Sequence, residues 1–492
     1  MDRMVSAFSL PKRVLSSTGH TDLPCAEFFP KLNPHDGTEI CQVARTPASA
    51  LAPLLKQARY AQAAWAALPA VRRGEILFDI AGAMKSRREE IVRVVALETG
   101  KSLKDASGET GAAIQQAMFM AGEGQRYFGR TATSASPNRH PMVLREPVGL
   151  AGLIMAANTP IANVAWKVFP ALICGNAALL KASEDTPLTA WLFGKIAAEA
   201  GLPEGVLTIL HGLGKEIGAA IVESDEVALI SFTGSTAVGK YIARTAGERL
   251  AKICLELGGK NPLVVCDDAD LDSAVDWAAL SAFSNAGQRC ASASRIVIFS
   301  AVYESFRGKF LKKVNALKVG HGEGDDLGPV INERQLRNML ASVEGAKARG
   351  AKVLAGGNRL ESAAHRNGFY MAPTVLENVA PGDEMSYTEL FGPITALYKA
   401  DDFAHALELS NNSPYGLTAS IHTRNWNRAQ EFMRKVEAGV AVVNGGTHGG
   451  EAHMPFGGVK SSGNGWREPG PEAIDVYSNI KVVYQMVNPA DV

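Results

Sequence analysis

The chain has 492 residues, more than one hydrophobic core usually organises, so two large domains with room for a smaller appendage are expected. Apolar content of 46 % against 20 % charged residues suits a globular protein, and 50 basic residues balanced by 50 acidic ones exclude a charge-driven preference for nucleic acid or membrane surfaces. Six cysteines, at 25, 41, 174, 254, 266 and 290, show no C-x-x-C spacing, which argues against a zinc or other metal site and against a disulfide framework.

The N-terminal stretch carries Arg3, Lys12 and Arg13 without the continuous apolar core and small-residue cleavage site of a secretory signal, so a cytoplasmic protein is expected. Residues 52 to 126 read as amphipathic helices stopped near Pro69 and Gly100. Pro147 to Leu180 is almost wholly apolar, with Lys167 its one charge inside the run, and is long enough to span a bilayer. Pro160, Pro170 and the asparagines 158, 163 and 176 would break such a span, so a buried strand, a loop and a core helix are expected instead. From 148 onward short apolar runs (VGLAGLIM, AALLK, GVLTIL, VALISF) alternate with helical segments, the pattern of a parallel, doubly wound sheet. The alternation restarts after Pro262 with PLVVC, a helix around 270 to 283, SRIVIF, and strands near 394 to 400, 417 to 422 and 440 to 443. A second α/β domain is therefore placed beyond Gly258-Gly259.

Three segments carry the chemistry. VALISFTGSTAVGK (227 to 240) is a strand, a glycine-containing turn and a helix start capped by Ser235 or Thr236; it suits either a phosphate or a plain capped turn. LELGGKNP places Glu256 at the end of an apolar run before two glycines, where desolvation would raise a carboxyl toward the range of a general base; the bland alternative is a buried glutamate held by Arg or Lys. SNAGQRCAS sets Cys290 in a polar glycine-containing loop beside Arg289, a context that favours a thiolate and can aim N–H groups at an oxyanion. The other five cysteines read as small core or N-terminal residues.

Taken together FTGSTAVGK, LELGGKNP and GQRC resemble the aldehyde dehydrogenase superfamily, and the resemblance continues through AANTP, LLKASEDTP, ELFGP and PFGGVKSSGNG over roughly residues 25 to 485. It implies a Rossmann-like NAD-binding domain (1–127 and 147–257), a second α/β catalytic domain (258–460) and a small β extension (128–146 and 470–490) that builds a homodimer or homotetramer. It implies further that Cys290 attacks an aldehyde, that Asn158 and the Cys290 N–H hold the oxyanion, and that Glu256 activates the water that hydrolyses the thioester. Cofactor contacts map to Lys181, Glu184, Gly234, Ser235, Gly239, Leu257, Glu389 and Phe391. NAD is expected over NADP, because Glu184 accepts the ribose hydroxyls and repels a 2′-phosphate. Arg289 is assigned either to gripping a carboxylate at the far end of a semialdehyde or to stabilising the thiol and pairing with a structural carboxylate. One departure is Ala157-Asn158-Thr159-Pro160, where relatives often have Trp-Asn-Phe-Pro; with the bulky wall missing, a wider pocket is expected. Two alternatives compete with this reading: transfer of the acyl group to coenzyme A, and an inert scaffold of the same fold. The intact Glu256, and the intact set of Cys290, Glu256 and Asn158, argue against each in turn.

Overall fold

A computed structural model describes residues 10–487. Assignments made above to residues 1–9, Arg3 among them, and to 488–490 lie outside the described residues. Four helices come early: α1 (Leu51–Ala67), α2 (Ala70–Ser86), α3 (Arg88–Thr99) and α4 (Leu103–Gly122). Their breaks follow local chemistry. Pro69 caps α2, and Gly100 ends α3 at φ 77°, a left-handed cap that costs glycine little. Ser102 then accepts the Asp105 N–H to start α4.

Five parallel strands follow: β1 (Leu150–Ile154), β2 (Ala177–Lys181), β3 (Leu207–Leu210), β4 (Leu229–Thr233) and β5 (Lys252–Glu256). β1, β2 and β3 are buried along their whole length, as a sheet covered on both faces requires, and this is why they read as continuous apolar runs. Their spatial order is 3-2-1-4-5, so chain order reverses between β1 and β4 and leaves a crevice beyond their carboxyl ends. The helices α5 (Pro160–Ile173), α6 (Pro187–Glu199) and α7 (Thr236–Glu248) accompany this sheet. Pro160 sits in the first turn of α5, where its missing N–H costs nothing.

The chain then enters a seven-stranded sheet through β6 (Asn261–Val265), followed by α8 (Leu271–Phe283), β7 (Ala293–Phe299), β8 (Lys352–Ala355), β9 (Thr374–Glu377), β10 (Ile394–Ala400), β11 (Thr418–His422) and β12 (Val440–Val443). The order is 8-9-10-7-6-11-12, parallel except for the β8–β9 pair. The expected mixed α/β architecture with parallel sheets is present. A separate antiparallel sheet joins Ser478–Met486 to Arg139–Pro147 and Arg130–Thr131. Three N-terminal strands, Arg13–Val14, Phe28–Leu32 and Glu39–Ala44, were not read from the sequence. The apolar run at 147 to 180 resolves into the end of one strand, β1, a loop, α5 and β2, and no helix among the described residues is long and apolar enough to cross a membrane.

Candidate active site

The carboxyl edge of the first sheet meets the amino edge of the second, because only Leu257-Gly258-Gly259-Lys260 separates β5 from β6. Two glycines are needed there. A Cβ at Gly258 would collide with the Glu389 carboxylate, and one at Gly259 with the Cys290 carbonyl. From the head of β6, the Asn261 side-chain amide donates to the carbonyls of Cys290 (2.8 Å) and Ser292 (2.9 Å), which fixes the thiol loop against the strand.

The loop reaches Cys290 through three left-handed residues, Asn285, Ala286 and Gly287, at φ 53°, 52° and 67°. Such a turn is strained for Ala286 and must be held by its surroundings. Asp105 of α4 accepts the Asn285 N–H at 2.9 Å. The Asn285 side chain donates to the carbonyls of Gln288 and Asn158, both at 3.2 Å. Thus Asn158, at the carboxyl end of β1, and Cys290, before β7, are brought to one place.

The surroundings of Cys290 oppose the thiolate that its sequence context favours. Burial pushes the thiol up to about 12, Glu389 and Glu256 add to the rise, and Arg289 offsets only part of it. The reason is geometric: Arg289 turns to Asp105 (3.0 Å) rather than to the sulfur. Neither oxygen of the Glu256 carboxyl has a hydrogen-bond partner; burial raises its pKa well above the ordinary value and Glu468 raises it further, against Lys167 and Arg467. Glu256 is therefore not a glutamate hydrogen-bonded by Arg or Lys.

Behind Glu256 lies a buried network that the sequence did not announce. Lys167 donates to Glu468 (2.8 Å) and Ser231 (2.7 Å), while Tyr477 (2.5 Å) and Ser231 (2.9 Å) donate to the other Glu468 oxygen. His448 is a second omission. Its Nδ1 is buried without a partner, and burial together with the Arg289 cation pushes the ring down to about 4. Thr447 anchors this segment by donating to the Ala291 carbonyl at 2.6 Å, one residue past the thiol. The Nε of Arg289 is likewise buried and unpartnered.

Most of the residues expected to hold a dinucleotide lie at the carboxyl edge of the first sheet, and Glu389 and Phe391 come from the loop before β10 of the second. Lys181 ends β2, buried and 3.3 Å from Glu184; burial lowers its pKa, and Glu184 opposes the shift. Burial alone would raise the Glu184 carboxyl, yet Lys181 and the Gly214 N–H (2.5 Å) hold it below the ordinary range. Gly234 and Ser235 form the turn from β4 into α7, and Ser235 caps that helix through the Val238 N–H. A Cβ at Gly239 would press on Leu257 at 2.5 Å, so this glycine lets α7 lie close against the Leu257 side chain. Glu389, pushed up to about 7 by burial, accepts the Gly259 N–H at 2.9 Å, and Phe391 is a bulky residue at φ 57°. A strand-edge crevice, a capped helix start and the buried Glu389 carboxyl group fit an adenosine ribose, a pyrophosphate and a nicotinamide ribose in that order.

Comparison with known proteins agrees with this arrangement. Residues 23–483 match the model of the aldehyde dehydrogenase family. The chain is 37 % identical over 455 residues to the alpha-ketoglutaric semialdehyde dehydrogenase of Bacillus subtilis, covering 92 % of this chain and 93 % of that one. It is 38 % identical over 425 residues to the 2,5-dioxopentanoate dehydrogenase of Saccharolobus solfataricus, covering 86 % and 88 %. Among solved structures, betaine aldehyde dehydrogenase from Staphylococcus aureus in complex with NAD+ superposes with a TM-score of 0.94 at 30 % identity, over 96 % of this chain and 95 % of that one. With the motifs, the two-sheet junction and the matches in agreement over nearly the whole length, the chain belongs to the aldehyde dehydrogenase family and is an aldehyde-oxidising oxidoreductase.

Proposed function

We propose that the enzyme oxidises a semialdehyde bearing a distal carboxylate to the corresponding dicarboxylic acid with NAD+, through a thioester on Cys290. The thiol proton leaves by the partly exposed face of Cys290, the sulfur attacks the carbonyl, and the Cys290 N–H and the Asn158 amide hold the oxyanion. Lys181, Glu184, Gly234, Ser235, Gly239, Leu257, Glu389 and Phe391 would hold NAD+, which when bound would supply the acceptor for the hydride that leaves the substrate carbon. Glu256 then takes a proton from the water that attacks the thioester. Release of the acid restores the free thiol.

The observation that carries the substrate assignment is Arg289 beside the nucleophile, its Nε without a hydrogen-bond partner and its guanidinium oriented by Asp105. A pre-oriented guanidinium loses little freedom on gripping a carboxylate. His448 Nδ1 lies in the same electrostatic neighbourhood, and relatives whose names specify semialdehydes of keto acids add support. The test compares Arg289→Gln with the parent on a semialdehyde acid and on an uncharged aldehyde of similar length. The loss on the acid is expected to exceed that on the uncharged aldehyde by about 2 to 4 kcal/mol of transition-state binding. Equal losses would leave Arg289 as a residue that only holds the loop through Asp105.

Glu184 sets the cofactor preference in this reading. Tied to Lys181 and Gly214, its carboxylate does not swing away from a 2′-phosphate, so kcat/KM with NAD+ is expected to exceed that with NADP+ by about tenfold or more. Comparable efficiencies with both cofactors would refute the role given to Glu184.

The domain assignment accompanies this proposal: 1–127 and 147–257 for the cofactor, 258–460 for catalysis, 128–146 and 470–490 for assembly. Support for a homodimer or homotetramer comes from the separate antiparallel sheet, where Ile480, Val482, Tyr484 and Met486 are exposed on Ser478–Met486. A cytoplasmic location rests on the scattered, unpaired cysteines.

A further inference from the structure

One face of α4 touches both halves of the oxyanion site. Lys101, just before the helix, and Asp105 and Glu109 within it recur every four residues, the spacing that aligns side chains along one face. Lys101 donates to the Glu109 carboxylate (2.5 Å) and to the Asn158 carbonyl (2.7 Å). The other Glu109 oxygen accepts the N–H groups of Ile161 (3.0 Å) and Ala162 (3.3 Å) at the start of α5. Asp105 holds the opposite loop, accepting from the Asn285 N–H and pairing with Arg289. Asn285 closes the circuit by donating to the same Asn158 carbonyl that Lys101 uses.

We propose that Lys101, Asp105 and Glu109 are positioning residues that set the separation of the Asn158 amide from Cys290, so that both meet the same oxyanion. The assignment rests on the oxyanion reading given above. Its physical basis is that a buried ion pair adds little net stability, and the Lys101 and Glu109 side chains are 1 % and 4 % exposed. What the pair does supply is direction. With two donors on the Asn158 carbonyl and two acceptances at the first turn of α5, the backbone on both sides of Asn158 is fixed, and the side-chain amide has one place to point. Asp105 does the same for a thiol loop that would otherwise relax from its left-handed turn.

The test uses Lys101→Met/Glu109→Gln, which removes the pair without leaving a lone buried charge, alone and combined with Asn158→Ala. Stopped-flow measurement of the first equivalent of NADH reports the steps before thioester hydrolysis. The burst rate is expected to fall about tenfold or more in the pair variant, with NAD+ affinity within about threefold of the parent and an unchanged melting temperature. Adding Asn158→Ala is expected to cause almost no further loss, because both changes remove one function. A parent-like burst in the folded pair variant, or losses that multiply in full, would overturn the inference. If Asn158→Ala alone leaves the burst unchanged, the oxyanion reading itself falls and takes the inference with it, a result distinct from the other two. Should the pair variant not fold, Lys101→Arg, which keeps the charge and displaces the donor, is held to the same criteria.

Discussion

Cys290→Ala is expected to abolish aldehyde oxidation, with kcat falling on the order of 10⁴-fold or more, while NAD+ titration stays within about threefold of the parent. No other thiol can stand in for it. Cys41, Cys174 and Cys254 are buried in the apolar core of the first domain and Cys266 in that of the second, away from the junction. Cys25 lies in the N-terminal segment with its sulfur on the Glu27 carbonyl. Only Cys290 shares a junction with a hydrogen-bonded Asn158 loop and an unpartnered carboxyl group. The measurement is NADH formation with saturating aldehyde, paired with cofactor titration to show that the cleft is intact. Turnover persisting in the variant would move the nucleophile elsewhere and dismantle the mechanism.

What was legible in the sequence is what lies close along the chain. Glu256 and Cys290 stood out because close backbone packing demands the glycines at 258, 259 and 287, so the chemistry and its punctuation share one short string. Parallel strands announced themselves as uninterrupted apolar runs. The partners were hidden. Glu468 lies 301 positions from Lys167, and Arg289 is 184 positions from Asp105, so neither pair has a local signature. Glu468 even falls in 461–469, a stretch given to no domain. The pairing of Arg289 was hidden for a related reason: adjacency in sequence places a cation next to Cys290, but its guanidinium pairs with Asp105 of α4. The N-terminal strands were missed because they are two to six residues long and Phe28–Leu32 contains Pro30.

The second large effect is expected at Glu256, and it separates two halves of the reaction. Glu256→Gln is expected to release one equivalent of NADH at a near-parental rate and then stall as an acyl-enzyme, with steady-state kcat down about 10² to 10⁴-fold. Mass spectrometry of the stalled protein would show the substrate's acyl group on Cys290. The pH behaviour follows from the same environment. Burial, then Glu468, raises the Glu256 carboxyl because both penalise its charged form, and only that charged form can take a proton from water. As pH falls through the raised pKa, which lies well above the ordinary carboxylate range, Glu256 becomes neutral and steady-state turnover drops. As pH rises through it, turnover recovers. The burst does not follow this titration, and in Glu256→Gln the corresponding limb of the steady-state profile should vanish. If the burst is lost together with the steady state, Glu256 acts before hydride transfer, and the base that takes the thiol proton must be this same carboxylate.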